Sequence, residues 1–396
     1  MWRWVLLVGA LLVHVLVGLR PVYEHARRTD GRDFASYYYA FRVASAGGDP
    51  YDTPALERLA RREHTRKRVN PFFYPPPFLL TQAFAGKLTL RQGFLCLLAL
   101  NELLLAACAF MCVRWYGVAG WVMALMVALY SPIFDHAEMG QANLLVLAPL
   151  LAGLGLAAKK PWLGGALVGV AAMLKMSPAL MLAYFVLERR VPALVAAALA
   201  ALALSVATLP LVGFEAQRRF YFEVLPSFSS GEYHGLALPI GMTSNHSIPA
   251  FFNRLWRGPD GHHLSQAASS ATTFTAVLLL ALWAYRFRGS LRDPDANAIG
   301  ALLVLMTLLP VYTYEHHLVF LVLALGAAAM TRPGPVLLVV AFFLAWPLAW
   351  QRGAEDALPP LKGLLRDSKL CAALLLFGLN LLAPRPRALP RWLNAK

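Results

Sequence analysis

Long apolar runs recur along this sequence, and they constrain its fold more than any other feature. A helix needs about 20 apolar residues to cross the hydrocarbon core of a bilayer, which is about 30 Å thick. Runs of roughly that length lie near 2–19, 93–113, 141–158, 161–187, 191–213, 268–286, 297–314, 316–331, 333–350 and 368–383, with shorter or proline-marked candidates at 72–88 and 117–134. The sequence therefore predicts an all-α polytopic membrane protein, a bundle of about twelve transmembrane helices.

The composition is typical of a membrane protein and excludes a nucleic-acid-binding protein. Hydrophobic residues make up 59% of the 396 residues and charged residues only 14%, against about 25% charged residues in soluble domains. In a soluble protein the net charge of +15 would suggest nucleic-acid binding. Here many basic residues flank apolar segments, which is the pattern of a chain held among membrane lipids. We therefore expect membrane lipids, and no nucleic acid, as partners.

Two long polar segments, 20–71 and 214–267, separate the apolar runs. Long loops in a compact protein are usually functional. Basic residues in the short loops and the tail favour a cytoplasmic N-terminus, which places both long loops outside. The preferred topology breaks 161–187 into two short helices at Ser177 and Pro178, and lets 117–134 enter and leave on one side. We expect a multi-pass protein of the plasma (inner) membrane with its active site on the outer, periplasmic face.

One amphipathic pattern stands out within the first long loop. Leu56, Leu59, Ala60 and Glu63 follow helical spacing and lie opposite a basic face. The pattern predicts a helix that rests on anionic headgroups. An ordinary solvated loop helix is the alternative.

Six short motifs occur in a fixed order along the chain. They are Asp33-Phe34-x-x-Tyr37-Tyr38, Gly48-x-Pro50-Tyr51-Asp52, Tyr74-Pro75-Pro76, Gly140-Gln141-Ala142-Asn143, Lys175-Met176-Ser177-Pro178 and Asn245-His246-Ser247. Together they resemble glycosyltransferase family 87, which includes polyprenyl-phosphate-mannose-dependent α-mannosyltransferases and belongs to the GT-C superfamily of multi-span transferases. The resemblance implies a GT-C-type catalytic module over about 1–330 that includes both long loops. It leaves 331–396 as C-terminal transmembrane helices and a basic tail.

The resemblance implies a transferase that moves a sugar, expected to be mannose, from a polyprenyl-phosphate donor to an envelope glycan or glycolipid acceptor. Members of the superfamily carry an essential acidic residue in the first outer loop, and Asp33 occupies that position. A carboxylate can take the proton of the acceptor hydroxyl, and direct displacement by the acceptor inverts the anomeric centre. No cofactor or metal ion is expected. From the residues alone, Asp33 could instead cap a helix or pair with Arg32 or Arg42.

Lys175 and two amides are the next candidates. Lys175 lies midway through an apolar run, where a charge costs about 3 kcal/mol on insertion scales. It should face a cavity or a partner, and we expect it to bind the donor phosphate; snorkelling to the interface is the alternative. Gln141 is a candidate ligand of the donor and Asn143 of the substrate, although either could form a helix–helix hydrogen bond.

Aromatic and histidine side chains complete the first part of the expected site. Tyr37 and Tyr38 follow Asp33 and are expected to contact substrate. His316 and His317 interrupt two late spans, and we expect His316 to contact the donor phosphate and His317 the substrate. A structural role is also open. The evidence for a metal site is weaker than for the other two roles, because these paired histidines lack a distant third ligand.

The second long loop supplies three more candidates. Asn245 and His246 are expected to contact substrate, and Arg254 the donor phosphate, because an arginine can clamp phosphate through two hydrogen bonds. A plain surface arginine is the alternative for Arg254.

Two other classes of function remain open at this point. One is a transporter or flippase of a lipid-linked or anionic substrate, although the chain shows no internal repeat of the kind that builds transporters. The other is a non-catalytic subunit of an envelope-assembly complex. An Asp33→Asn substitution separates the three hypotheses, because only the enzyme needs that carboxylate for chemistry.

Overall fold

The computed structural model describes residues 2–29, 31–65, 67–230, 238–258, 260–289 and 294–384. Over these ranges the protein is helical and contains no strand. The α-helices, in chain order, are α1 (Trp2–Val13), α2 (Arg20–Thr29), α3 (Arg32–Ser45), α4 (Thr53–Arg62), α5 (Leu90–Arg114), α6 (Gly120–Leu129), α7 (Ser131–Met139), α8 (Asn143–Leu156), α9 (Pro161–Leu174), α10 (Leu182–Leu187), α11 (Val191–Arg219), α12 (Leu225–Ser230), α13 (Ile248–Leu255), α14 (Gln266–Phe287), α15 (Ala296–Leu308), α16 (Val322–Thr331), α17 (Pro335–Ala345), α18 (Leu348–Ala357), α19 (Lys362–Arg366) and α20 (Ser368–Leu381).

Shorter helical turns connect several of these elements. Those of 3₁₀ type are Pro76–Lys87, Ser177–Met181, Glu315–Leu321 and Pro359–Leu361, and those of π type are His14–Leu19 and Phe220–Val224. The π turn after α1 leads directly into α2, and the π turn after α11 leads into α12. The 3₁₀ turns Ser177–Met181 and Glu315–Leu321 likewise lead directly into α10 and α16.

Four described helical stretches are long and apolar enough to cross a membrane. They are Leu7–Glu24, Leu90–Arg114, Val191–Ser227 and Gln266–Phe287. The pair α17 and α18, bent by 97°, makes a fifth if it is counted as one span. The remaining apolar segments form helices of 10 to 17 residues. The all-α membrane class is therefore confirmed, whereas the count of about twelve spanning helices is not.

The short helices arise where polar residues, glycine or proline interrupt an apolar run. In the 161–187 run, α9 ends at Leu174, and Lys175 takes an extended conformation at φ −156° and ψ 130°. A 3₁₀ turn resumes at Ser177, which confirms the predicted break. A 14-residue helix is about 21 Å long, so α8 and α9 each end before they cross a core about 30 Å thick.

Both predicted long loops contain helices. Segment 20–71 holds α2, α3 and α4, and segment 214–267 holds the end of α11 together with α12 and α13. Helix α4 confirms the amphipathic pattern as a helix, since Leu56 and Ala60 are fully buried while Arg58 is about half exposed. In the helical parts of both segments the backbone hydrogen bonds are formed within the helix. Neither segment is therefore an irregular loop throughout.

The helices share one apolar core. Helix α9 packs against α8 and α11, and α15 packs against α16 and α20. Buried apolar side chains form a continuous cluster from Phe34 in α3 to Phe377 in α20. The C-terminal helix α20 therefore supports the helices that carry the late histidines. The predicted division into 1–330 and 331–396 stays a prediction.

Candidate active site

A cavity of about 450 Å³ lies where several helix ends meet. Its wall comes from the start of α3, from the segment 70–75, and from the breaks that follow α7, α9 and α15. Helix ends carry backbone groups without intrahelical partners. At membrane depth such groups are tolerated only where they are buried in protein or line a cavity. The interrupted helices thus account for a cavity with polar groups in its lining inside an apolar bundle.

Asp33 lies in the first turn of α3, and its half-buried side chain lines the cavity. Its Oδ1 accepts a hydrogen bond from the Asn70 amide at 2.9 Å, and its Oδ2 accepts one from the Gln141 amide at 2.6 Å. Arg42, an alternative partner, instead pairs with Glu63 at 2.7 Å. Both donors to Asp33 are neutral, so they orient the carboxylate without cancelling its charge. A carboxylate with two hydrogen bonds still has lone pairs for a third donor.

The amide of Gln141 is oriented by two phenols. The hydroxyls of Tyr37 and Tyr74 lie 3.1 Å and 3.0 Å from Gln141 Oε1, and 2.8 Å from each other. Two hydroxyl protons serve these three contacts, so at least one of them is donated to Oε1. That donation identifies the amide oxygen and directs the NH₂ group toward Asp33. From α5, Asn101 donates to the Gln141 backbone carbonyl at 3.0 Å.

The turn before Gln141 depends on Gly140. This residue ends α7 in the left-handed conformation, with φ 68° and ψ 44°, which glycine adopts without a steric cost. A Cβ atom there would lie 2.8 Å from Phe34 Cβ and 2.9 Å from Phe94 Cε2. Gly140 therefore lets the chain turn tightly against α3 and α5, and this turn places Gln141 beside Asp33.

Lys175 lies at the break between α9 and the following 3₁₀ turn and lines the cavity. Its Nζ donates to Asn143 Oδ1 at 2.8 Å, and Asn143 Nδ2 donates to the His316 carbonyl at 2.9 Å. The ammonium group lies 5.7 Å from the ring centroids of both Tyr74 and Phe320. Within the described part of the chain, no carboxylate pairs directly with it. Lysine has three donors, so the ammonium can bind an anion in the cavity.

Both late histidines line the same cavity. His316 Nδ1 lies 3.3 Å from Asp135 Oδ2. His317 Nδ1 accepts a hydrogen bond from the Tyr314 backbone amide at 2.9 Å, so in the neutral ring the proton is on Nε2. The two rings are in edge contact, with centroids 4.4 Å apart. His317 can therefore donate from Nε2.

The structure brings six of the residues singled out in the sequence to one cavity. They are Asp33, Tyr37, Gln141, Lys175, His316 and His317. Of the remaining five, Asn143 contacts the site through Lys175. The Tyr38 hydroxyl accepts from Arg42 at 2.7 Å and donates to the Leu88 carbonyl at 2.9 Å, and this side chain does not line the cavity.

The candidates from the second long loop also lie outside the cavity wall. Asn245 Nδ2 donates to the carbonyls of Ile240 and Val311 at 2.9 Å each, and so ties its loop to the segment after α15. Arg254 forms an ion pair with Asp367, a partner that the sequence did not suggest. His246 is fully buried. A direct contact of these three side chains with substrate stays a prediction.

Sequence reasoning missed the side chains that hold the site together. Asn70 and Tyr74 line the cavity, and they were not assigned roles because their partners lie far away in the chain. The buried pair of Glu315 and Lys369, 2.8 Å apart, was missed for the same reason. The sign of this pair in the sequence is Lys369, a lysine at the start of an apolar helix.

Glu315 and Lys369 form a polar cluster beside the cavity. Lys369 Nζ donates to Glu315 Oε1 at 2.8 Å and to the Trp346 carbonyl at 2.6 Å. Ser131 donates to the same carboxylate oxygen at 3.1 Å, and His246 Nε2 lies 3.6 Å from the other oxygen. Glu315 and Lys369 are 3% and 1% exposed, and neither lines the cavity. We infer that the pair ties the 3₁₀ turn that carries His316 and His317 to α20.

In the ranges that the structure describes, His, Cys, Asp and Glu side chains form no group of three or more that could hold a metal ion.

Comparison with known proteins identifies the family. The sequence model of glycosyltransferase family 87 matches residues 72–313. A polyprenol-phosphate-mannose-dependent alpha-(1-2)-phosphatidylinositol pentamannoside mannosyltransferase of Mycobacterium tuberculosis is 31% identical, over 57% of this chain and 48% of the relative. A polyprenol-phosphate-mannose-dependent alpha-(1-2)-phosphatidylinositol mannoside mannosyltransferase of Mycolicibacterium smegmatis is 28% identical, over 53% of this chain and 47% of the relative. No solved structure gave a significant match.

The extent of these matches matters for the site. The chain spans about half the length of the curated relatives it matches. Gln141, Asn143 and Lys175 lie inside the range of the family match, whereas Asp33 and the late histidines lie outside it. The matched range covers more than half of the chain and includes several of its apolar helices. This integral membrane protein therefore belongs to glycosyltransferase family 87.

Proposed function

We propose that this protein transfers mannose from a polyprenyl-phosphate donor to a glycolipid acceptor at the outer face of the plasma membrane. The names of the matched relatives state a polyprenol-phosphate-mannose donor and phosphatidylinositol mannoside products or acceptors. For this chain we propose the same class of donor, a polyprenyl-phosphate sugar, and we name the acceptor only as a glycolipid. The 450 Å³ cavity is large enough for a sugar phosphate.

The observation that carries the proposal is that Asp33 and Lys175 line one cavity. Asp33 supplies a base and Lys175 a cation, which are the two groups that this reaction requires. In the step, the acceptor hydroxyl oxygen forms a bond to the anomeric carbon while the bond from that carbon to the phosphate oxygen breaks. The bonding electron pair leaves with the polyprenyl phosphate, and the hydroxyl proton passes to Asp33. One displacement inverts the anomeric centre.

The leaving phosphate gains negative charge during this step. Lys175 stabilises that charge as a fixed, partly buried cation, and an electrostatic contact contributes more there than it would in bulk water. Asn143 holds the ammonium group by the hydrogen bond at 2.8 Å. His317 adds a neutral donor from Nε2. These groups are preorganised by helix breaks, so they need little rearrangement when the donor binds.

Apolar residues also line the cavity. They include Leu225, Leu238, Leu309 and Val311. This apolar lining suits the first isoprene units of the donor or the lipid part of the acceptor. A cavity with both polar and apolar lining residues fits a substrate whose reactive phosphate is attached to a hydrocarbon chain.

The experiment offers the purified protein a panel of polyprenyl-phosphate sugars together with a glycolipid acceptor. Release of free polyprenyl phosphate and formation of the glycosylated lipid are both measured. Mannose should give the highest rate. Asp33→Asn should lower kcat by roughly 10²–10⁴-fold, the usual contribution of a general base. Asp52→Asn is the matched control, because Asp52 pairs with the exposed Arg58 and does not line the cavity.

Two results would reject the proposal. One is an Asp33→Asn protein that transfers sugar at the rate of the Asp52→Asn control. The other is movement of the lipid-linked sugar across a vesicle membrane without release of polyprenyl phosphate, which is what the transporter hypothesis expects.

A further inference from the structure

A second cavity, of about 790 Å³, lies between α10 and α14. Apolar side chains of α10, of the 3₁₀ turn before it and of α14 form most of its lining: Leu180, Ala183, Val186, Leu187, Leu280, Trp283 and Ala284. The volume falls in the range of about 300–1,000 Å³ that holds small-molecule ligands. We call this cavity the α10–α14 groove.

Two arginines of the groove have no anionic partner among the described residues. Arg189 and Arg288 line the groove and are exposed, and neither forms an ion pair with any described residue. The Arg288 guanidinium lies over the ring of Tyr285, 4.4 Å from its centroid, a contact that orients the side chain and leaves its charge in place. The carboxylate of Glu188 also lines the groove, but Arg190 binds it at 2.9 Å. In the part of the chain that the structure describes, the groove therefore presents two guanidinium groups without a carboxylate partner.

The groove is separate from the candidate active site. Lys175 and Ser177 line the active-site cavity, whereas Leu187 and Arg189 line the groove. The 3₁₀ turn Ser177–Met181 and helix α10 connect them. This helical segment is about 19 Å long at 2.0 Å and 1.5 Å per residue. The sequence-based topology places Arg189 and Arg288 on the cytoplasmic side, opposite the active site.

The surroundings of the groove decide what kind of ligand can enter it. Val186, which lines the groove, and Val277 on α14 are 61% and 62% exposed, so the groove and the helix beside it present apolar side chains outward. In a membrane protein such faces contact lipid tails. A ligand that enters from the bilayer carries hydrocarbon, and the two guanidinium groups select a negative headgroup.

We propose that the α10–α14 groove binds an anionic phospholipid. Its phosphate contacts Arg189 and Arg288, and one acyl chain lies along the apolar wall between α10 and α14. The bound lipid covers two cations that no described carboxylate pairs with. It also packs the gap beside α10, the helix that continues from the break at Lys175.

The test compares phosphatidylglycerol with phosphatidylcholine on the full chain in detergent. Lipid binding is measured by native mass spectrometry, and thermal unfolding is followed in parallel. The wild type should bind phosphatidylglycerol about tenfold more tightly than phosphatidylcholine, since each basic residue near anionic lipid contributes a few-fold. The double variant Arg189→Gln/Arg288→Gln should lose most of this preference. Arg114→Gln, which removes one positive charge at the exposed end of α5, should keep it.

A second variant tests the apolar wall. Ala284→Phe narrows the groove and should weaken the binding of both lipids. Soluble glycerol 3-phosphate should stabilise the wild type less than phosphatidylglycerol does, because it cannot use that wall. An equal preference in the wild type and the double variant would overturn the proposal. So would equal stabilisation by glycerol 3-phosphate, which would make the site one for free phosphate.

Discussion

Two carboxylates beside the same cavity are held in opposite ways. Asp33 is half-buried, lines the cavity, and accepts hydrogen bonds from the neutral amides of Asn70 and Gln141. Glu315 is 3% exposed and pairs with the buried ammonium of Lys369 at 2.8 Å. The charge of Asp33 stays available to a substrate, whereas the charge of Glu315 is balanced by the ammonium group of Lys369.

The difference separates chemistry from support. A general base needs free lone pairs and access to the substrate hydroxyl, and neutral donors provide orientation without neutralisation. Burial of a charged carboxylate without a cation is strongly disfavoured. The buried position of Glu315 therefore depends on its pairing with Lys369. We infer that the Asp33 cluster carries the reaction and that the Glu315 pair fixes the turn bearing His316 and His317. Substitutions in the two regions should therefore change different measured quantities.

The largest expected effect is on stability, from Lys369→Met. This change leaves Glu315 buried without its cation and should lower the free energy of unfolding by about 3–5 kcal/mol. Thermal unfolding of the purified protein, followed by tryptophan fluorescence, measures it. Adding Glu315→Gln to the same protein should recover much of the loss, because no unpaired charge then remains. A double variant as unstable as the single one would contradict a direct pair.

In the other region, Lys175→Met should lower activity and leave folding intact. We expect kcat/KM to fall by roughly 10²–10³-fold, the usual cost of removing one group that stabilises transition-state charge. The transfer assay with a saturating acceptor measures this value. Lys87→Met, at the exposed end of the 3₁₀ helix Pro76–Lys87, is the control. Equal activity of the two variants would remove Lys175 from the mechanism.

Gln141→Ala should produce a smaller loss that falls mainly on kcat. Without the donor at 2.6 Å, the carboxylate of Asp33 is no longer held in one orientation, and misplacement of a catalytic group can cost up to about 10²-fold. The donor KM should change little. A rise in KM with an unchanged kcat would instead indicate that Gln141 binds the donor directly.

Tyr74→Phe should have the smallest effect, about fivefold on kcat, which corresponds to about 1 kcal/mol for one hydrogen bond. The loss is limited because Tyr37 remains 3.1 Å from Gln141 Oε1. Removing both hydroxyls should approach the effect of Gln141→Ala. If Tyr37→Phe/Tyr74→Phe behaves like Tyr74→Phe alone, the two phenols do not act through Gln141.

Local signals in the sequence indicated the part of the site that lines the cavity. Lys175 could be recognised because a charge within an apolar run must face a cavity or a partner. Asp33 and Gln141 could be recognised because they lie in short motifs typical of a family. Helix breaks at Gly140 and Ser177 follow from residues that interrupt apolar runs. These features depend on few neighbours in the chain, so a sequence can display them.

The supporting contacts have no local signal. Glu315 and Lys369 lie 54 residues apart, and Asp33 and Gln141 lie 108 apart, so only the packing of helices brings each pair together. The number of spanning helices was also not predictable from apolar length. Runs such as 161–187 are interrupted by a polar break that turns one long segment into two short helices.

The most direct test is a structure of the Asp33→Asn variant with polyprenyl-phosphate mannose bound. This variant should retain the donor because the substitution removes the base and leaves Lys175 unchanged. The account expects the donor phosphate within hydrogen-bond distance of Lys175 Nζ, and the anomeric carbon in the cavity with a path open to position 33. A phosphate bound elsewhere, with the sugar outside this cavity, would contradict it.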